Sequence, residues 1–132
     1  MKKDIKNRAD VFLLVDSFYK KVRQNGEIGH FFNNTITNWE SHLEKLTDFW
    51  EGNLFFTGSF MGNPAQAHVK VDAEHKNSIT EYHFGIWLNL WFQTIDELFE
   101  GEYAQRAKNN ARKMSTHLFL RIYQNRGISS KA

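Results

Sequence analysis

The chain has 132 residues, a length that suits one domain, and 15% of them are aromatic, with 12 Phe and 4 Trp. The net charge of +2 gives no electrostatic case for binding nucleic acid or acidic lipid, and no apolar run approaches the ~20 residues of a membrane span. Because the chain has no cysteine, disulfides, zinc–thiolate sites and iron–sulfur clusters are excluded. The sequence shows no export signal, which predicts a cytoplasmic location.

The first half of the chain predicts two long helices. From about Asn7 to Gln24, one helical stripe carries Val11, Leu14, Val15, Phe18, Tyr19 and Val22, and Gly26 is placed to end the helix. A short turn or helix, IGHFFNN, follows. Asn38 is placed to cap the second helix, whose apolar face consists of Trp39, Leu43, Leu46, Phe49, Trp50 and Leu54.

The second half begins with a break at TGSFMGNP. There Asn63 predicts an N-cap with Pro64 at the first helical position, so His68 lies on a short helix or in the loop after it. A capping box from Ser78 to Glu81 opens a helix to about Phe99 that buries Trp87, Leu90, Trp91 and Leu98. The last helix runs from about Glu102 to Asn125, with Gly127 beyond it.

No segment combines strand alternation with β-branched enrichment, so the fold class predicted is all-α. We expect a single domain over residues 1–132, with frayed tails at 1–7 and 126–132.

The histidines are the first candidates for metal chemistry in this chain. Glu27 and His30 have the Glu-x-x-His spacing that di-iron helix bundles use twice, but it occurs once here, between Gly26 and Gly29, where no long helix could hold it. The sequence has no HExxH, no Gly-rich phosphate loop, no GxSxG and no Cys–His pair. His75 and His83 are interpreted as surface residues, and His117 has no identifiable partner.

Three polar-tipped residues lie on apolar faces of three different predicted helices. His42 shares the stripe of the second helix, Tyr19 lies on the first stripe, and Trp87 lies on the third long helix. Each needs a hydrogen-bond partner if buried, and for His42 alone a core role is the commoner explanation. Together they favour a shared pocket, since an apolar pocket with a few convergent polar groups is typical of a ligand site.

The ordered set FYKKVR, HFFNN, WESHLEKLTDFW, AHVKV, HFGIWLNLW and DELFEGE resembles the truncated haemoglobins, in particular their third group. The resemblance runs from about Ala9 to Tyr123. It implies a shortened globin fold, a two-over-two helical sandwich around haem b. The glycine pairs typical of the other two groups are missing, which agrees with the third group.

The resemblance also implies roles for individual residues. His68 matches the proximal histidine that binds the haem iron. On the distal side Tyr19 matches the tyrosine, His42 the histidine and Trp87 the tryptophan. Positions that pack on the haem or line its wall are matched by Phe32, Leu46, Phe49 and Trp50. Many relatives have prolines after the proximal histidine, whereas this chain reads VKVDAEHKNS, which keeps His75 as a rival for the iron.

The function this implies is binding of oxygen and other diatomic gases such as carbon monoxide and nitric oxide. Tyr19 and Trp87 would donate hydrogen bonds to bound oxygen, with His42 as a gate or a third donor. Two such bonds would slow oxygen release at least about a hundredfold, which favours redox chemistry on the ligand, such as nitric oxide dioxygenation or peroxide handling, served by a separate reductase. The alternative is a haem-free all-α interaction domain in which Tyr19, His42 and Trp87 are core residues.

Overall fold

The computed structural model describes residues 2–56, 70–73 and 79–130, with side chains described as far as residue 124. Its helices are α1 (Arg8–Gln24), α2 (Gly29–Asn33), α3 (Trp39–Phe55), α4 (Glu81–Leu98) and α5 (Glu102–Ser130), and residues 70–73 form a helical turn. Every regular element in the described part is helical, so the all-α prediction is confirmed there.

The four long helices pack as two pairs. α1 packs against α3, α4 packs against α5, and the pairs meet where α1 contacts α4 and α3 contacts α5. The centre of this core is aromatic: Phe18 of α1 stands edge-on to Trp91 of α4 at a centroid distance of 4.9 Å, and Trp50 of α3 stacks on Trp91 at 4.6 Å. All three are buried. The stripe predicted for α1 therefore faces both neighbouring helices.

Asparagines cap α1 and α3, and the cap at Asn38 confirms the prediction for that residue. The Asn7 side chain accepts a hydrogen bond from the Asp10 N–H at 3.0 Å, and the Asn38 side chain accepts one from the Ser41 N–H at 3.1 Å. α1 ends at Gln24 as predicted, but Gly26 is not the residue that ends it. The Asn25 side chain accepts the N–H groups of Glu27 and Ile28, so this asparagine turn, and not a left-handed Gly26, ends the helix.

The start of α4 corrects the predicted capping box. The N-cap is Thr80, and its N–H donates to Nδ1 of His83 at 3.0 Å. The box thus begins two residues later than predicted, and Ser78 lies outside the described residues. His83, interpreted as a plain surface residue, has a capping role that requires an unprotonated Nδ1.

Both ends of the chain have regular structure or contacts in their described residues, while the fraying expected at 1–7 and 126–132 stays a prediction. α5 continues through Gly127 to Ser130, because a helical glycine costs only about 1 kcal/mol and no proline follows. At the other end Ile5 is fully buried, and the Asp4 carboxylate accepts the N–H groups of Tyr103 and Ala104, both at 2.9 Å. The N-terminal residues therefore cap α5, which begins about a hundred residues later.

Candidate functional site

Tyr19 is the buried polar residue around which the candidate site is built. It comes from the inward stripe of α1 and is 6% exposed. Its ring contacts Phe18 at a centroid distance of 4.7 Å and Phe32, just after the middle of α2, at 5.7 Å. Aromatic neighbours on both sides fix the ring and hold its hydroxyl away from solvent.

Trp87 brings a hydrogen-bond donor to this hydroxyl from α4. It is half-buried, stands edge-on to Phe18 at 5.3 Å and lies parallel to Trp91 at 6.1 Å. Its side chain is hydrogen-bonded to that of Tyr19. Because an indole N–H can only donate, Trp87 donates and the Tyr19 oxygen accepts.

The protonation state of Tyr19 follows from these surroundings. Burial is the larger effect and raises the pKa of Tyr19, while the hydrogen bond from Trp87 acts in the opposite direction. The pKa remains raised, so the phenol keeps its proton at neutral pH. Its oxygen accepts from Trp87, and its own O–H remains a donor.

His42 approaches the same residue from α3. It is half-buried, and its ring lies edge-on to Tyr19 at a centroid distance of 6.2 Å and to Trp39 at 5.7 Å. The three helices thus bring together the three residues that sequence reasoning grouped, with Tyr19 in the middle.

The predicted wall residues divide into two kinds. Phe32, Leu46 and Phe49 are half-buried and pack against the core with part of their surface uncovered. Trp50 lies deeper, at 2% exposure, where it stacks on Trp91. Its contact with a cofactor stays a prediction, since this position already has a core role.

The predicted iron ligand His68, its rival His75 and the Asn63–Pro64 helix start lie outside the described residues. Nearby, the buried Asp72 accepts the Ile79 N–H at 3.0 Å and so ties the turn at 70–73 to the approach to α4. In the described part no group of three or more His, Cys, Asp or Glu could hold a metal ion, and none of the helices there could span a membrane.

Two residues near the site were missed by sequence reasoning as site residues. Phe18 touches Tyr19, Trp87 and Trp91 edge-on, and its place beside Tyr19 on the stripe was a signal for this. Arg23 lies over the Trp39 ring at 4.3 Å, a contact between two helices that no spacing along the chain indicates.

Comparisons with known proteins support the fold. No protein-family model matches the chain. The chain is 27% identical over 128 residues to a Campylobacter jejuni protein named Group 3 truncated hemoglobin ctb, a match that covers 94% of this chain and 97% of that protein. A crystal structure of group III truncated hemoglobin from Campylobacter jejuni superposes with a TM-score of 0.82 at 27% identity, covering 95% of this chain and 98% of the other.

Proposed function

Because the chain is similar to a group 3 truncated haemoglobin in both sequence and fold, we propose that it binds haem and holds a diatomic gas ligand beside Tyr19. The observation that carries the proposal is the Tyr19 hydroxyl: it is buried, protonated and hydrogen-bonded by Trp87. This hydroxyl still has an O–H to donate.

The described residues fit a haem on its distal side. A haem is flat and largely apolar, and the part-exposed faces of Phe32, Leu46 and Phe49 offer a surface that such a group would cover. In the described part, Trp87 is the hydrogen-bond partner of Tyr19, and an indole cannot accept the phenol proton. A ligand oxygen beside Tyr19 could accept a hydrogen bond from the phenol O–H.

The proximal side of the site rests on the sequence. His68 is proposed as the iron ligand, with Phe32, His42, Leu46, Phe49, Trp50 and Trp87 as the residues that hold the group. Bound haem b would supply an iron centre able to coordinate oxygen, carbon monoxide or nitric oxide.

The distal residues then act as a chain of donors. Trp87 donates to the Tyr19 oxygen, and this polarises the phenol O–H, which donates to the ligand. His42 lies edge-on beside the ring and limits the space around it. A hydrogen bond to a charged acceptor in a dry pocket contributes about 1.5–3 kcal/mol, so Tyr19 alone would slow oxygen release about 10- to 150-fold.

Such slow release suits redox chemistry on the ligand better than bulk oxygen delivery. Nitric oxide dioxygenation or peroxide handling in the cytoplasm, with a separate reductase to restore the ferrous state, is the proposed use.

Absorption spectra of the purified protein in the ferric, ferrous and carbon monoxide forms test the proposal. We expect a strong Soret band that His68→Ala abolishes or shifts and that His75→Ala leaves unchanged. The reverse pattern would move the iron ligand to His75. A colourless protein that rejects added haemin would favour the haem-free interaction domain.

A further inference from the structure

Trp39 contacts Tyr19 and also lines a groove on the surface. It is the first residue of α3 and is half-buried. On one side its ring contacts Tyr19 at a centroid distance of 5.9 Å and His42 at 5.7 Å. On the other it lines an open groove of about 550 Å³ between the end of α1 and the residues around Asn33 and Ile36. One indole ring thus belongs to both the pocket wall and the groove wall.

Arg23 holds this ring from the solvent side. Its guanidinium carbon lies 4.3 Å from the centroid of a Trp39 ring. The Arg23 Nε–H donates to the Asn33 side-chain oxygen at 3.3 Å, and the Asn33 amide donates back to the Arg23 carbonyl at 3.0 Å. Arg23 is itself exposed, so the stack is held by a cation–π contact and an exposed pair of hydrogen bonds.

We propose that this groove is the entry route through which small neutral ligands reach Tyr19. In this proposal the Trp39 ring is the gate of the route, and Arg23 holds it closed. The proposal rests on the proposed function for the identity of the ligand. An exposed cation–π stack is weak enough to open thermally, and a rotation of one surface ring is fast compared with ligand exchange. Opening leaves Tyr19 and Trp87 in place, because Trp39 touches the Tyr19 ring and not the Tyr19–Trp87 hydrogen bond.

A gate of this kind can be recognised from the rates of ligand association and release. Removing the stack should raise the open fraction about two- to fivefold. Ligands then enter and leave faster by the same factor, so the equilibrium affinity does not change. A residue that stabilised the bound ligand would change the release rate and the affinity together.

The experiment compares Arg23→Gln with Arg112→Gln in the haem-loaded protein. Arg112 of α5 is the matched control. It is exposed, and its guanidinium carbon lies 5.2 Å from the centroid of the Phe92 ring of α4. Carbon monoxide association is measured after flash photolysis, and release is measured by displacement with nitric oxide. We expect both rates to rise two- to fivefold in Arg23→Gln and to stay at the wild-type values in Arg112→Gln.

Hydroxyl-radical footprinting with mass spectrometry gives a second readout that does not depend on haem. Oxidation of Trp39 should rise in Arg23→Gln, while oxidation of the fully buried Trp91 stays constant in the same sample. No rise at Trp39 would overturn the shielding role of Arg23 whether or not haem is bound.

The remaining outcomes separate this inference from the proposed function. If haem-loaded Arg23→Gln has the wild-type rates of carbon monoxide association and release, the gating role of Trp39 is wrong and the proposed function still stands. Faster association in His42→Ala alone would put the path at His42 instead. A chain that takes up no haem overturns the proposed function and the ligand path together.

Discussion

Replacing Tyr19 by phenylalanine removes one hydroxyl from the middle of the pocket and leaves the ring contacts with Phe18 and Phe32 in place. The hydroxyl is buried and protonated, so its hydrogen bond to a partly negative oxygen ligand is expected to contribute about 1.5–3 kcal/mol. Oxygen should therefore leave Tyr19→Phe about 10- to 150-fold faster. Carbon monoxide carries less negative charge on its outer atom, so its release should change far less.

The role of Trp87 decides between two mechanisms for the same pocket. The structure has Trp87 donating to Tyr19, so Trp87→Phe should speed oxygen release by only about two- to tenfold, the range of a neutral hydrogen bond. In the Tyr19→Phe background the same change should have almost no effect, because its acceptor is gone.

Stopped-flow release of both gases from the four proteins of this cycle tests the reasoning. If the two substitutions multiply each other's effects on the oxygen release rate, Trp87 donates to the ligand independently of Tyr19. Equal acceleration of oxygen and carbon monoxide by Tyr19→Phe would mean that the hydroxyl acts sterically and would refute the polar pocket. Retention of the Soret band in every variant is the control for folding.

Three further predictions concern stability, each measured by urea unfolding followed by circular dichroism. Asp4→Ala removes the carboxylate that caps α5 and should cost about 1–2 kcal/mol, whereas Glu102→Gln, at an exposed ion pair with Arg106, should cost less than about 0.5 kcal/mol; equal effects would deny the cap. Gly101→Ala should destabilise the fold, because Gly101 has φ 142° and its added Cβ would meet the Asp4 carboxylate; an unchanged midpoint would contradict this. Burial, and after it repulsion from His30, lowers the pKa of His83 against the opposing effect of Glu27. The contribution of His83 to the free energy of unfolding is therefore complete above about pH 6.5, and it is lost as the pH falls through the lowered pKa. His83→Gln keeps a capping side chain that does not titrate and should remove this acid-sensitive part of the stability; a pH profile identical to wild type would exclude His83 as its source.

The helices could be predicted from sequence because their signals are local. The 3.6-residue stripe of α1 put Tyr19 on the buried face, and Asn7 and Asn38 sit where an N-cap must sit, three residues before the N–H that each accepts. The overlapping boxes at Ser78 and Thr80 show the limit of such signals. Ser78 is followed three residues later by Glu81, and Thr80 by His83, so the sequence allows a capping box at either position. The structure starts α4 directly after Thr80, and this selects the box of Thr80 with His83.

The ordered aromatic and histidine motifs were sufficient to identify the third group of truncated haemoglobins, and the relative from Campylobacter jejuni confirms that resemblance. The residue roles carried over with it, above all His68 as the iron ligand, stay predictions.

What the tertiary structure alone decided are contacts between residues far apart in the chain. Trp87 donates to Tyr19 across 68 positions, Arg23 covers Trp39 from another helix, and Asp4 caps α5 across about a hundred residues. Spacing along one helix fixes the face on which a side chain lies, but not which side chain of the next helix it meets. That choice depends on how the helices cross and on their register against each other, which the packing of the whole core sets. The sequence therefore determined the helices and the faces on which Tyr19 and His42 lie, and the packing determined which side chain donates to which.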